Sequence, residues 1–296
     1  MSGLIDARKL ALVARFELAE ARRSRLIGLV LALYGAGAAL GTYIFAGTLA
    51  GAERTVRDSL DGALSVPDDV VRRQVLPGLI RFWVDDPALQ KQLLDVEPLA
   101  IFYGFMAFNL VAPLVLLTSG NAHASEIASG GTRFVLTRVD RLSWALGKLA
   151  GHALLLLIGL FVGASAAALV AWSGAGIDVT SAVWLGRVSL RAWVYGLAYL
   201  GLFSFVALVV RSPSRVRSFS VALLFLLWIG RALCSSPLVT AQVPLLAHLV
   251  WVFPGQYELA LWSPRWLESL AATGALLAIA GVAFTLGYAS FRRGDV

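Results

Sequence analysis

The sequence predicts an all-α polytopic membrane protein with six transmembrane helices, because the chain is apolar, poor in charge and contains long uncharged runs. Hydrophobic residues make up 58% of the 296 positions, charged residues make up 15%, and the mean hydropathy is +0.77. Soluble domains carry about a quarter charged residues. Residues 26–50 contain no charged side chain, and a membrane-spanning helix needs roughly 20 apolar residues. A soluble helix normally keeps a polar face, so an apolar soluble core does not explain this run.

Six apolar segments are long enough to cross a bilayer, and polar stretches separate them. The predicted spans are residues 26–50, 98–119, 150–172, 192–210, 219–238 and 266–290. Small residues at 46–52 would also suit a signal-peptide cleavage site, but the long positively charged leader and the long apolar run argue against cleavage. Most of the nine tryptophans fall near predicted span ends, the depth that the amphipathic indole ring favours.

The polar stretches predict three further regions. Residues 1–25 interleave basic and apolar residues, which indicates an amphipathic helix at the membrane surface or, alternatively, a charged flank of the first span. Residues 51–97 predict a small extracytoplasmic helical cap, because apolar residues recur there at helical spacing. These residues are Val70, Val71, Val75, Leu76, Leu79, Ile80 and Trp83. Residues 239–264 contain three prolines and are compatible with short outer interfacial helices or with a re-entrant hairpin.

Basic residues concentrate on one side of the predicted spans. Residues 1–25, 120–148, 211–218 and 291–296 hold 15 of the 25 Lys and Arg but only 6 of the 18 Asp and Glu. That side carries a net charge of +9, and the opposite side carries −3 when Arg231 is left out. Since positively charged loops stay in the cytoplasm, we expect both termini to be cytoplasmic in a bacterial inner membrane. The same distribution argues against nucleic acid as a partner.

The sequence offers no catalytic residues and no metal site. It contains no P-loop, no HExxH and no GxSxG motif. Cys234 is the single cysteine, and His123, His152 and His248 fall in different segments. We therefore expect hydrogen-bonded or interfacial histidines rather than a zinc site, and we expect the chain not to be an enzyme. An intramembrane enzyme would need a buried nucleophile and base, and no such pair is recognisable.

The predicted spans are almost free of charge. No Asp or Glu lies in spans one to five, although ion-coupled carriers usually use buried carboxylates as relays. Arg231 is the one deep charge, and it either contacts a substrate or lipid headgroup or extends outward to the interface. If the chain is a transporter, the energy for transport must therefore come from elsewhere.

Residues 120–148 form the longest predicted cytoplasmic loop and are the strongest candidate for a functional segment. Gly130-Gly131 permits a sharp bend, after which residues 132–136 can form a short amphipathic helix. Its apolar residues would enter the groove of a partner. The candidate coupling residues are Glu126, Gly130, Gly131, Thr132, Arg133, Phe134, Leu136 and Arg138.

This loop resembles the loop after the second span of ABC-2 type permeases, the membrane subunits of ATP-binding cassette exporters. The resemblance lies in the spacing of Glu126, Gly130-Gly131-Thr132-Arg133-Phe134, Leu136-Thr137-Arg138 and Gly147-Lys148. The basic segment 1–25 is similar to the elbow helix of that family, and the tail at 291–295 is similar to its end. The stretch 147–152 is most similar to permeases that serve maturation of nitrous oxide reductase, although the first outer loop is longer here.

The resemblance implies that two permease subunits, here expected to be a homodimer, form a pathway above two separate ATPase subunits. ATP and Mg would bind in those ATPases and not in this chain. Residues 126–138 would couple to the ATPase, with Glu126 orienting the contact, and the substrate would pass between spans one, two and five. The alternative is a non-transporting scaffold or assembly factor whose cap, residues 51–97, recruits an extracytoplasmic partner.

Overall fold

The computed structural model describes residues 6–59, 76–78, 80–81, 84, 87–94, 96–175, 179–263 and 265–293, and the regular elements of these residues are all helical. The first helices are α1 Ala7–Arg23, α2 Arg25–Ser59, α3 Pro87–Leu93, α4 Pro98–Ser119, α5 Ala122–Ser129 and α6 Gly131–Leu136. They are followed by α7 Arg141–Ala175, α8 Val179–Val210, α9 Pro213–Ser235, α10 Pro237–Gln242, α11 Leu245–Leu249, α12 Glu258–Trp262 and α13 Trp266–Arg293. Two 3-10 turns, Val250–Val252 and Pro254–Tyr257, precede α12.

Six helices are long and apolar enough to cross a membrane, so the prediction of an all-α polytopic membrane protein is confirmed. The spans are Arg25–Val56, Pro98–Ser129, Arg141–Ser173, Ser181–Val210, Pro213–Ser235 and Trp266–Arg293. The helices that contain the third and fourth spans extend beyond the predicted apolar segments and begin at Arg141 and Val179. Residues 141–148, predicted as part of the polar cytoplasmic stretch, are helical, and so are residues 179–191, which lie between the predicted third and fourth spans. Both stretches carry charged side chains. Helical hydrogen bonding continues through such residues where the helix leaves the apolar layer.

The main apolar core lies between α4, α7 and α8, with α2 and α13 packed around them. Tyr103, Val111, Leu160, Val188 and Phe203 are nearly inaccessible to solvent in this core. In the most apolar stretches of α4 and α8, 61% of the residues are buried inside the chain. In the corresponding stretch of α9, only 11% are buried. The central helices are therefore enclosed by protein, while α9 presents most of its surface to lipid or to another subunit.

The described part of the cap packs onto the start of α4. Leu76, Ile80 and Val84 follow helical spacing and are buried together with Leu89, Leu93 and Ile101. Five of the residues that predicted this cap lie outside the described residues, namely Val70, Val71, Val75, Leu79 and Trp83. The described residues that predicted the cap contribute to a small apolar core, which ties the cap to one end of the bundle. This end is called the cap end.

The first and last described helices meet at the opposite end of the bundle, which we call the basic end. Val13 of α1 and Phe291 of α13 share an apolar cluster with Trp144, at the start of α7. Asp6 caps α1 by accepting a hydrogen bond from the Arg8 amide at 3.0 Å. Exposed basic residues surround this end, namely Arg133, Arg138, Arg215, Arg217, Arg292 and Arg293. The two described ends thus lie on the same side, as an even number of spans requires.

Residues 236–262 form a chain of short helices and 3-10 turns. The turn Pro254–Tyr257 contacts the last turns of α9 and the start of α13. This segment therefore returns toward the bundle beside α9 and places Glu258 near that helix.

Candidate functional site

The candidate coupling segment consists of α5 and α6, joined by a bend at the basic end. Gly130 has φ +74°, the left-handed conformation that glycine adopts without strain, so the bend expected at Gly130-Gly131 is present. Within α6, Thr132 is buried and Arg133 is exposed. Arg138, which follows the helix, is also exposed. The Phe134 side chain is 80% exposed at the tip of the segment.

The apolar residues of α6 divide between two faces. Phe134 points away from the protein, but Val135 and Leu136 pack against the cluster of Trp144 and Phe291. Of the three residues expected to enter a partner's groove, Phe134 is exposed, whereas Val135 and Leu136 are partly buried. Their apolar side chains hold the segment on the bundle and leave Phe134 as the single exposed apolar anchor of α6.

The Glu126 carboxylate faces the interior of the chain. Trp144 donates a hydrogen bond from Nε1 to Glu126 Oε2 at 2.9 Å, and Lys148 Nζ lies 2.8 Å from Oε1. Both oxygens are thus engaged within the chain, and the side chain is 22% exposed. Within the chain, these contacts position α5 against α7, so the expected role of Glu126 in orienting the contact with a partner would act through the placement of α5.

Lys148 joins three helices at this point. Its ammonium donates a hydrogen bond to Glu17 Oε1 of α1 at 2.6 Å and contacts Glu126 of α5. His152, one turn further along α7, places Nε2 at 3.2 Å from the second oxygen of Glu17. The side chains of Glu17, Lys148 and His152 are at most 7% exposed. We call Glu17, Glu126, Lys148 and His152 the buried charge cluster.

The buried charge cluster perturbs the ionisation of Glu17. Burial alone would raise the pKa of this carboxyl, but the hydrogen bonds and charges supplied by His152 and Lys148 lower the pKa to about 2. Glu17 is therefore ionised throughout the physiological pH range. A buried carboxylate without such partners would cost several kcal/mol, so Glu17 and Lys148 each depend on the other.

Two glycines let α1 approach α7 closely enough to form these contacts. A Cβ atom on Gly147 would lie 2.6 Å from Val13 Cβ, and one on Gly151 would lie 2.7 Å from Glu17 Cβ. Real Cβ atoms do not approach other carbons so closely, because packed interiors leave no room for such overlap. The Gly-Lys-x-x-Gly-His stretch thus supplies both the space and the charges for α1.

Sequence reasoning missed this cluster, although two signals were available. Lys148 and His152 are four residues apart, as are Gly147 and Gly151, so each pair lies on one face of α7. In α1, Glu17 falls on the same face as Val13 and Ala21, which are buried. A carboxylate at an apolar position of an amphipathic helix predicts a buried cationic partner, and only the fold identifies that partner as Lys148.

The carboxylates of this region do not by themselves define a metal site. Oxygens of Glu17, Glu20 and Glu126 lie within 4.8 Å of one another. The ammonium of Lys148 already stands between Glu17 and Glu126 and supplies positive charge there. His123 is buried nearby, its Nε2 lies at hydrogen-bond distance of 3.4 Å from the Ala145 carbonyl oxygen, and its ring meets the Trp144 ring edge-on at 5.6 Å between centroids.

A second pair of opposite charges lies towards the cap end. Arg231 Nη1 of α9 is 3.8 Å from Glu258 Oε2 of α12. The sequence left open whether Arg231 contacts a ligand or extends to the interface, and it did not identify Glu258 as a neighbour.

Comparisons of the chain with protein-family models and with curated proteins found no match.

Proposed function

We propose that this multi-pass membrane protein is the permease subunit of an ATP-binding cassette transporter, driven by ATP that a separate subunit hydrolyses. The observation that carries the proposal is the exposed Phe134 on α6, at the basic end, between exposed Arg133 and Arg138. An exposed apolar side chain with arginines before and after it in the sequence suits docking into an acidic groove with an apolar floor.

The anchoring of the segment supports a mechanical role. Val135 and Leu136 fix α6 on the bundle, and the Glu126 contacts with Trp144 and Lys148 fix α5 on α7. If a partner displaced α6, the movement would therefore be transmitted to α7, a membrane-spanning helix. It would also be transmitted to α1, because Glu17 of α1 is paired with Lys148 of α7. This is the connection that a permease needs if movement of an ATPase is to change the arrangement of its spans.

The composition of α2 and α9, the two spans least buried inside the chain, supports an external energy source. Arg231 is the only charged side chain within α9 beyond its first two turns, and α2 carries none between Arg25 and Glu53. Ion-coupled carriers need buried ionisable residues on the path of the ion. We propose a homodimer, with α2 and α9 forming the contact with the second subunit and lining the pathway, since both helices expose apolar residues such as Leu40 and Leu226.

The first test is co-purification of the chain with its ATPase from native membranes. Phe134→Ala should lower the ATPase recovered by at least about tenfold, because removing a central apolar anchor typically costs 2 kcal/mol or more. Arg133→Glu should act in the same direction through charge repulsion.

The matched control is Phe16→Ala, which removes a similarly exposed phenylalanine, 61% accessible, from α1 at the same end of the bundle. Phe16→Ala should leave ATPase recovery unchanged. Recovery of no nucleotide-hydrolysing subunit from the native membrane, or equal recovery with Phe134→Ala and the unchanged chain, would refute the proposal.

The second test is the side of the membrane that Phe134 faces. Cys234 is buried and is the only cysteine, so a Cys234→Ser background allows single cysteines to be placed at will. Phe134→Cys should react with a membrane-impermeant maleimide only from the cytoplasmic side, and Lys91→Cys in the cap only from the other side. The opposite pattern of labelling would exclude contact between α6 and a cytoplasmic ATPase.

A further inference from the structure

The Arg231–Glu258 pair borders a cavity of about 270 Å³ that the proposed coupling does not use. The cavity lies between α4, α8, α9 and the turn Pro254–Tyr257. Six of its fifteen lining residues are aromatic, namely Phe108, Tyr195, Tyr199, Phe225, Trp228 and Phe253. Such a cavity, apolar with a few polar groups, is typical of a ligand site, and its volume is near the lower limit of about 300 Å³ for small-molecule pockets.

The two charges at this cavity are not satisfied by each other. Their separation of 3.8 Å exceeds hydrogen-bond length, and among the described residues neither side chain makes a hydrogen bond. Their side chains are 34% and 24% exposed, so both retain access to the cavity. Partly buried guanidinium and carboxylate groups normally have hydrogen-bond partners. Arg231 therefore offers free donors, and Glu258 offers free acceptors, to a molecule in the cavity.

The backbone beside Arg231 leaves space for its side chain. A Cβ atom on Gly255 would lie 2.8 Å from Arg231 Nη1, and one on Gly230 would lie 2.7 Å from the Phe253 ring. Glycine at these two positions thus allows the turn to close over α9 while Arg231 keeps its place next to Glu258. Burial raises the pKa of Glu258, and the neighbouring Arg231 opposes that rise.

The depth of the pair indicates what kind of molecule could reach it. Arg231 lies in the last two turns of α9, about 27 Å along the helix from Pro213 at the basic end. Because the hydrocarbon core of a bilayer is about 30 Å thick, Arg231 lies close to the far interface, where lipid headgroups are found. Trp228 and Phe225 border the cavity and are 70% and 56% exposed, so they offer an apolar surface on the lipid side.

We propose that this cavity binds the headgroup of a zwitterionic amphiphile, whose acidic group pairs with Arg231 and whose amine donates to Glu258. The acyl chains would lie along Phe225 and Trp228. The cavity is large enough for one headgroup of this kind and too small for a headgroup that carries a further large polar group. A molecule with both charges compensates both side chains, whereas an anion alone would leave Glu258 unpaired next to the anion.

The experiment measures lipid binding to the delipidated full chain in detergent by native mass spectrometry, without nucleotide and without any partner subunit. Phosphatidylethanolamine should bind at least tenfold more tightly than phosphatidylcholine, which has no N–H donor, or phosphatidylglycerol, which has no cation. Arg231→Gln and Glu258→Gln should each reduce phosphatidylethanolamine binding about tenfold. Since no ATPase is present, the result does not depend on the proposed coupling.

The matched controls are Arg265→Gln and Glu268→Gln, which remove an exposed ion pair of 3.0 Å at the start of α13, outside the cavity lining. Both should bind phosphatidylethanolamine like the unchanged chain. Trp228→Ala leaves the charges in place and should weaken binding of the lipid but not of soluble phosphoethanolamine. Size-exclusion profiles and thermal unfolding without lipid verify that each variant is folded.

Three results would overturn the proposal. Equal affinity for the three lipids would show that the headgroup is not recognised. Equal losses in the Arg265 and Glu268 variants would show that the cavity is not the site. If soluble phosphoethanolamine bound as tightly as the lipid, and Trp228→Ala had no effect on lipid binding, the ligand would be a soluble zwitterion and not an amphiphile.

Discussion

The buried charge cluster and the Arg231–Glu258 pair differ in how completely their opposite charges are paired. In the buried charge cluster, Lys148 lies 2.6 Å and 2.8 Å from two carboxylates, and its side chain is 2% exposed. Arg231 and Glu258 are 3.8 Å apart, are partly accessible and border a cavity. The first group can therefore hold helices together, whereas the second retains unused hydrogen-bonding capacity. A charged side chain in an apolar chain can stabilise the fold or bind a ligand. The N–O distances within each group distinguish these two roles.

The largest expected effect is that of Lys148→Ala. Removing the ammonium leaves Glu17 and Glu126 facing each other without a cation, which should lower the free energy of unfolding by about 3–5 kcal/mol. Lys91→Ala, which removes an exposed lysine of α3, should change stability by less than about 0.5 kcal/mol. Denaturant unfolding of the purified chain in detergent measures both. Similar small changes in the two variants would mean that the buried charge cluster does not stabilise the fold.

A somewhat smaller loss is expected when α1 is forced away from α7. Gly147→Ala and Gly151→Ala place a Cβ atom within 2.6–2.7 Å of α1 carbons, and such overpacking costs about 1–3 kcal/mol. Gly281→Ala is the control, since nothing lies within 4 Å of its Cβ position. That substitution should be neutral or stabilising by up to about 1 kcal/mol. Unfolding measurements that rank Gly281→Ala with the other two would argue against close packing of α1.

The response to acid should distinguish Glu17 from an ordinary surface carboxylate. Its folded-state pKa of about 2 lies below the reference value of 4.5, so its stabilisation is complete above about pH 4.5 and is lost as the pH falls towards about 2. The difference in melting temperature between the unchanged chain and Glu17→Gln should therefore shrink over that range. A difference that stays constant with pH would show that the Glu17 charge is not responsible.

The smallest expected effect on stability is that of Glu258→Gln. No hydrogen bond to a described residue is lost, and removal of a partly buried charge relieves desolvation, so stability should change by less than about 1 kcal/mol. Glu17→Gln, measured under the same conditions at neutral pH, should cost clearly more. If Glu258→Gln destabilises the chain as much as Glu17→Gln does, the proposed contrast between a structural and a ligand-binding pair is wrong.

The sequence predicted the coupling segment better than the charged sites. The bend at Gly130-Gly131 and the short helix after it follow from local preferences, because glycine adopts the left-handed conformation without strain. Which apolar side chain of α6 remains exposed depends on contacts with Trp144 and Phe291. Those contacts join residues far apart in the chain, so the separation of Phe134 from Val135 and Leu136 could not be read from periodicity.

The sequence by itself determined that the chain is a helical membrane protein with six spans, because the requirement for about 20 apolar residues per span is a local property of composition. It also placed most of the basic residues at one end. The tertiary structure alone decided that Glu17 and Glu126 meet Lys148 and that Glu258 lies beside Arg231. A charge in an apolar environment needs a partner, but which residue is brought within reach depends on how the helices pack.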